Sequence, residues 1–288
     1  MSEFVAALPM YDWPQTRGET DAEWIGLREI LRAAGVDAPE RLARRNADLP
    51  PVPGGISDAA GKLIAPDPAT LPPDELDLQT LWLHPKLLLS QTCWGPMEHG
   101  LSAHVTVIGQ PSYDGIEGGQ GGEYSSAILM RSPLEGGPRD GPRPVARARA
   151  AGRPEGGVRA PADGAPLIPL DLIRGKRLAY NSLDSMSGII ALTRDLEAAG
   201  ETIGIFGGQF ETGSHRAAIV AVAAGRADFC AVDCRSWMLA RRHESRAADL
   251  QTVGWTARRK GLPMITSRLT PPGIVAALRL LLGSPFSP

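Results

Sequence analysis

The sequence predicts an α/β fold large enough for two lobes, and three observations carry that expectation. The chain has 288 residues, 43% of them hydrophobic, which is enough to bury cores for two lobes of ordinary size. Apolar runs short enough for strands are followed by segments whose apolar residues recur at helical spacing, the order that builds layered sheets covered by helices. The clearest such pair is residues 177–200, RLAYNSLDSMSGIIALTRDLEAAG. Residues 177–180 read as the end of a buried strand and 181–184 as a turn. From Ser185 onward Ile189, Leu192, Leu196 and Ala199 recur at helical spacing until Gly200 stops them.

From the N-terminus, residues 4–10 read as a short buried strand that leaves the sheet at Pro9, Met10, Tyr11 and Asp12. A helix follows, with Thr20 and Glu23 as its capping box, an apolar face of Trp24, Leu27, Ile30 and Leu31, and Gly35 as its stop. Tyr11 and Trp13 could be core aromatics, but they also stand just beyond a strand, where open α/β sheets keep their ligands. Residues 50–75, crowded with Pro, Gly and Asp, are expected to be a surface loop or a locally disordered insert. Order returns with a helical turn at 81–83 and a buried strand at 87–89. Ser90, Gln91, Thr92 and Cys93 follow it, with a short helix starting near Thr92.

Residues 104–109 alternate as a strand, and residues 123–130 give another, led in by Tyr124, Ser125 and Ser126. Residues 132–166 hold Arg, Pro, Gly and Ala with almost no large apolar side chains, so a flexible insertion that cannot offset its ordering entropy is expected there. After the central element, Ser214 caps a helix whose first turn holds His215, and residues 229–232 form a continuous apolar strand ending at Asp233. Asp233 could equally cap the helix that follows it. Two late strands, at 250–255 and 262–267, and a final apolar helix at 273–282 complete the chain.

Composition removes several function classes. A net charge of −2 provides no global basic field to recruit nucleic acid or an anionic membrane surface. No apolar run approaches the ~18 to 20 residues that a spanning helix needs, so no direct membrane insertion is expected. The first residues, MSEFVAALPMYDWPQ, carry an acid where a signal peptide carries its basic region. The chain as written is therefore expected to be cytoplasmic, and periplasmic if its N-terminus has been trimmed. Cys93, Cys230 and Cys234 make no disulfide framework, and the spacing of the last two suits no zinc pair. No metal or cofactor is implied.

The chemistry is concentrated at the start of the central helix. Ser185 is a good N-cap, and Met186, Ser187 and Gly188 fill a first turn whose backbone N–H groups lack partners within the helix and carry its positive end. Small residues there leave an anion room to approach. Capping alone would also account for Ser185.

Together these pieces resemble the phosphate, phosphite and phosphonate-binding proteins of ABC transporters, a branch of the type 2 periplasmic binding proteins. The resemblance is carried by GKRLAYNSLDSMSG at 175–188, by TGSHRAAIVAVAAGRADFCAVD at 212–233 and by GLPMIT at 261–266. LSQTCWGP at 89–96 and EYSSAILMR at 123–131 match more loosely. It implies a two-lobe type 2 periplasmic-binding-protein architecture with the ligand cleft between lobes, residues 1–128 and 254–288 forming the first lobe and 129–253 the second. It implies non-catalytic binding of a small phosphorus oxyanion or phosphonate, for uptake through an ABC permease or for sensing. Ser185, Met186, Ser187 and Gly188 would hold the head group with His215 beside it and Asp233 opposite, and Tyr11, Thr92, Tyr124 and Ser125 would complete the set. Three positions depart from the family pattern: no signal peptide, QTCW before the first-lobe helix, and Met186 where Thr or Ser is commoner. Pyrimidine-synthesis enzymes similar to these receptors supply the alternative, with His215 as general base and a cysteine, Cys93, as nucleophile.

Overall fold

The structure is a computed structural model that describes residues 3–132 and 157–282. In chain order its elements are β1 (Val5–Ala7), α1 (Arg17–Ala33), β2 (Ile56–Ser57), β3 (Leu63–Ala65), α2 (Leu78–Leu83), β4 (Leu87–Gln91), α3 (Trp94–Glu98), β5 (Val105–Gly109), β6 (Gly119–Gln120), β7 (Glu123–Tyr124) and β8 (Ser126–Arg131). There follow α4 (Leu170–Ile173), β9 (Arg177–Tyr180), a π-turn (Met186–Ile190) running into α5 (Ala191–Ala198), β10 (Gly208–Glu211), α6 (His215–Ala223), β11 (Phe229–Asp233) and α7 (Cys234–His243). The last are β12 (Leu250–Trp255), β13 (Arg259–Lys260), β14 (Met264–Ser267) and α8 (Pro272–Leu282). The chain divides into two compact units, Met1–Ser112 with Gly261–Pro288, and Tyr113–Lys260.

The first unit is built on a sheet in the order β1-β4-β14-β5, with β1 and β4 parallel and β14 antiparallel to both of its neighbours. Strand alternation sends Ala6 to one face, where it packs with Trp24, Leu31 and Leu278, and Val5 and Ala7 to the other, with Leu81 and Met97. Both faces are covered, so β4 is buried at all five positions and reads as an uninterrupted apolar run into small polar residues.

The second unit carries a sheet in the order β10-β9-β11-β8-β12. Strands β9, β10 and β11 are parallel, and β8 runs antiparallel to β11 and β12. Ile128, Leu178, Phe229 and Ala231 from the strands meet Ile173, Leu192 and Leu196 in one core. Because β8 is reversed, its first residue Ser126 pairs with the last residue of β11, Asp233. The carboxyl ends of β9 and β11 therefore share one edge of the sheet with the start of β8.

Several expectations change. Helix α1 begins at Arg17 with Thr16 in the capping position, and Thr20 lies inside it, its hydroxyl donating to Thr16 O at 3.3 Å. The Thr16 hydroxyl itself donates to Tyr11 O and Trp13 O, so the entry is fixed by the preceding turn and not by a capping box. Residues 50–75 include an ordered hairpin of β2 and β3, with Ile56 and Ala65 buried and Asp67 accepting from Val52 N and Ala69 N. The expected strand at 123–130 is two, β7 and β8, broken at Ser125.

The units divide at 112/113 and 260/261, where 128/129 and 253/254 were expected. The reason is pairing: Ala127 is in register with both Val232 and Trp255, so a cut at either expected position would divide strands of one sheet. The expected flexible insertion at 132–166 is also shortened. Val158 N donates to Thr252 O, Leu167 N to Trp255 O and Trp255 Nε1 to Val158 O, each at 2.8 Å, which ties the segment after 156 along β12. Residues 133–156 lie outside the described residues.

Candidate functional site

The turn after β9 is shaped by two small residues. Ser185 has extended backbone, and its Oγ accepts from Gly188 N at 3.1 Å, the geometry of an N-cap. Ile190 N then reaches back five residues to Ser185 O at 3.1 Å, which makes the opening turn a π-turn, wider than an α-turn. A side chain at Gly188 would place its Cβ 1.9 Å from Asn181 Oδ1 and 3.1 Å from Ser185 Oγ, so any larger residue requires Asn181 to move. Ser185, Met186, Ser187 and Gly188 are all buried. Met186 is further met by Arg194, whose Nη1 lies 3.7 Å from its sulfur.

The start of α6 is tied to the same place. Thr212 donates through both N and Oγ1 to Tyr180 O at 2.8 Å, and Gly213 N donates to Asn181 O at 2.9 Å. Gly213 takes a positive φ of 81°, and Ser214 caps the helix by accepting from Ala217 N. His215 in the first turn is thereby held beside the π-turn. Its Nε2 lies 2.8 Å from Ser187 Oγ and 3.4 Å from Asp233 Oδ2. Asp233 closes β11 and caps α7, its Oδ1 accepting from Ser236 N at 2.9 Å. One carboxylate thus performs the expected cap with one oxygen and faces His215 with the other.

Burial pushes the His215 imidazole below its ordinary pKa, and the Asp233 carboxylate opposes that shift without overcoming it. The ring is neutral near pH 7. With the carboxylate facing Nε2, the proton belongs on that nitrogen, which leaves Nδ1 a bare acceptor; Nδ1 is buried and has no hydrogen-bond partner among the described residues.

Of the ten residues expected at the site, the structure joins Ser185 to Gly188, Ser187 to His215 and His215 to Asp233 by direct contact. Ser125 adjoins them through its backbone, its O accepting from Cys234 N at 3.2 Å and its N donating to Gly118 O. Tyr124 is buried with its ring 5.3 Å from that of Tyr113. Tyr11 and Thr92 belong to the first unit. There Tyr11 O accepts from Trp13 N and Thr92 N donates to Pro263 O at 3.0 Å.

Two residues went unread. Asn181 looked like an ordinary turn residue, yet it sets the space around Gly188. Asp195 sits on the buried face of α5 between Leu192 and Leu196, bonded to Arg259 Nη2 at 2.5 Å and to Ala257 N at 2.8 Å. A charge within an apolar stripe was the available signal.

This arrangement is not a nucleophilic relay. In a Ser-His-Asp triad the serine and the carboxylate take different ring nitrogens, whereas Ser187 and Asp233 share Nε2. Burial pushes the Cys230 and Cys234 thiols far above the ordinary range, so neither supplies a thiolate. No group of three or more His, Cys, Asp and Glu among the described residues could hold a metal ion.

A family model described as the periplasmic substrate-binding protein of phosphonate ABC transporters matches residues 136–283, which include the π-turn, His215 and Asp233. The chain belongs to this family. As a member of the phosphonate-binding family it is a substrate receptor and not an enzyme, which sets aside the reading that joined His215 to a cysteine. Among solved structures it is similar to PhnD1 of Prochlorococcus marinus in complex with methylphosphonate, at 16% identity and a TM-score of 0.57 over 97% of this chain and 83% of that one. A Xanthomonas citri protein bound to chloride ion gives 14% and 0.55 over 98% and 83%. A binding protein component of an ABC phosphonate transporter from Pseudomonas aeruginosa gives 11% and 0.55 over 96% and 72%. These likenesses show the fold. No curated protein matches the chain.

Proposed function

We propose that this receptor binds a small phosphorus oxyanion or phosphonate on the turn formed by Ser185, Met186, Ser187 and Gly188, with His215 and Asp233 as its selectivity pair. The observation that carries the reading is the contact of Ser187 Oγ, in the first turn of a helix, with an imidazole that also faces a buried carboxylate. A helix N-terminus supplies oriented N–H donors and positive potential without a mobile cation, which suits capture and release of an anion. A carboxylate only accepts hydrogen bonds, so an oxyanion beside Asp233 is tolerated when it brings a proton, as P–OH or an amino group does. Fully deprotonated sulfate brings none.

The structure of the Prochlorococcus protein holds methylphosphonate, which supports a phosphonate head group here. The family description makes an ABC permease the partner and the periplasm the family's place of work. No helix of the described residues is long and apolar enough to cross a membrane. Fractionation of cells expressing the whole gene reads the compartment.

A thermal-shift screen with phosphate, phosphite, methylphosphonate, aminoethylphosphonate and sulfate tests the reading. A ligand at ~100 times its Kd adds ~2.7 kcal/mol to stability, a shift that is easily read. At least one phosphorus compound is expected to raise the melting temperature while sulfate does not. No shift with any of the four, or an equal shift with sulfate, overturns the proposal.

A further inference from the structure

We propose that the site takes up a proton on His215 together with its oxyanion, so that affinity rises as pH falls below neutrality. The inference rests on the binding reading above and concerns the regulation of that same site. Its basis is geometric. His215 Nε2 is 2.8 Å from Ser187 Oγ, and the Ser187 hydroxyl belongs to the first turn that would carry the anion. An oxyanion that accepts the Ser187 O–H turns Ser187 Oγ toward accepting from Nε2–H, which links ring, hydroxyl and ligand in one chain of hydrogen bonds. Such chains polarise and strengthen when the terminal donor is a cation.

The ring is held short of that state in the empty protein. Its side chain is 14% exposed, Nδ1 is buried with no partner among the described residues, and burial outweighs the attraction of the facing carboxylate. Asp233 of β11 is the charged group acting on the imidazole among the described residues. Glu244, beyond α7, is engaged by Arg216 at 2.8 Å, and Ser187 of the π-turn is neutral. A bound oxyanion adds a second negative charge within two hydrogen bonds of Nε2, which favours the imidazolium. By linkage, the state that binds more protons gains as pH falls, so affinity grows by at most roughly tenfold per pH unit between the empty and loaded pKa values of the ring.

The test is calorimetric titration of the whole protein with methylphosphonate at about pH 6 and about pH 8, in buffers of different ionisation heat. Proton exchange by the ligand itself is common to wild type and His215→Gln, so the difference between them counts the protons taken by His215. Wild type is expected to take up more protons than the variant at the lower pH and the same number at the higher. Should the variant fail to bind, the imidazole resonances of wild type, titrated with and without methylphosphonate, must show the His215 pKa moving up on loading. Binding with no excess proton uptake and no such movement overturns the inference and leaves the receptor reading standing. If wild type binds none of the phosphorus compounds in the thermal screen, the receptor reading falls and this inference with it.

Discussion

Gly188 decides the shape of the turn at 185–188 more than any hydroxyl does. Its missing Cβ admits Asn181, whose Oδ1 is buried against it, and its N–H is taken by Ser185. Gly188→Ala is expected to cost about 1–3 kcal/mol by overpacking and to abolish oxyanion binding, because Asn181 or the Ser185 cap must give way. Urea denaturation and a binding isotherm read the two effects, and unchanged affinity would show that the turn does not hold the ligand. The neighbouring His215 gives the ligand-free protein a pH signature. Its pKa in the folded state lies below that of the unfolded chain, near 6.5, so the unfolded state binds the proton first on acidification. Stability is complete above that value and is lost as pH falls toward the folded pKa, at up to about 1.4 kcal/mol per unit. His215→Gln should flatten the fall in melting temperature between about pH 7.5 and 5.5. An identical fall in both proteins would mean that other groups govern acid stability.

At the scale of elements, strand and helix positions were legible wherever an apolar run or an apolar period stood alone, the run at β4, β9 and β11 and the period at α6. The capping serines 185 and 214 and Asp233 declared their helix starts for the same local reason: side-chain oxygens accept from N–H groups two or three residues on. Long-range pairing was not legible. Nothing local distinguishes β8 as the strand that joins β11 to β12, and so the unit boundary moved. Thr20 and Glu23 matched a capping box by spacing, but the hydroxyl of Thr16 bonding back to Tyr11 and Trp13 decided where α1 begins. The contact of Ser187 with His215, 28 positions apart, was likewise invisible to periodicity and came only from a resemblance to the family pattern. Asp195 shows how such a pair acts on an element. It anchors α5 to the segment holding Ala257 and Arg259, and it is buried while Arg259 is partly exposed. Asp195→Ala is expected to cost about 1–3 kcal/mol, since it removes the carboxylate that accepts from Ala257 N and Arg259, while the arginine keeps Ala257 O and some solvent. In a double-mutant cycle Arg259→Met on that background should recover part of the loss, and strict additivity of the two changes would deny the coupling.

Across the whole molecule, the segment leading to β9 raises the question of which part the fold requires. Composition put residues 132–166 in one class, yet the anchors seen here separate them. Ser132 N donates to Asp249 O at 2.9 Å, and Val158 N donates to Thr252 O. These two acceptors are three residues apart on one stretch of chain, hence about 10 Å at strand rise, and a Gly/Ser linker of about six residues has a mean reach of ~13 Å. Replacing residues 133–156 with such a linker keeps both anchors. Shortening a chain connection to about a quarter of its length changes the closure entropy by only ~1.2 kcal/mol, in favour of the folded state. The melting temperature and the methylphosphonate affinity should therefore be nearly unchanged. Extending the replacement through 166 is a different operation. Trp255 Nε1 loses its acceptor at Val158, Arg258 N loses Gly164 O, and the outer edge of β12 keeps only the pairing of Trp255 with Leu167. A buried indole N–H without a partner costs about 1–3 kcal/mol, so the longer replacement should lower the melting temperature by several degrees and promote association. Calorimetry and light scattering on the two variants side by side decide the matter. If both melt together with wild type, the strap along β12 contributes nothing. If both fall together, the fold depends on residues before 157 as well.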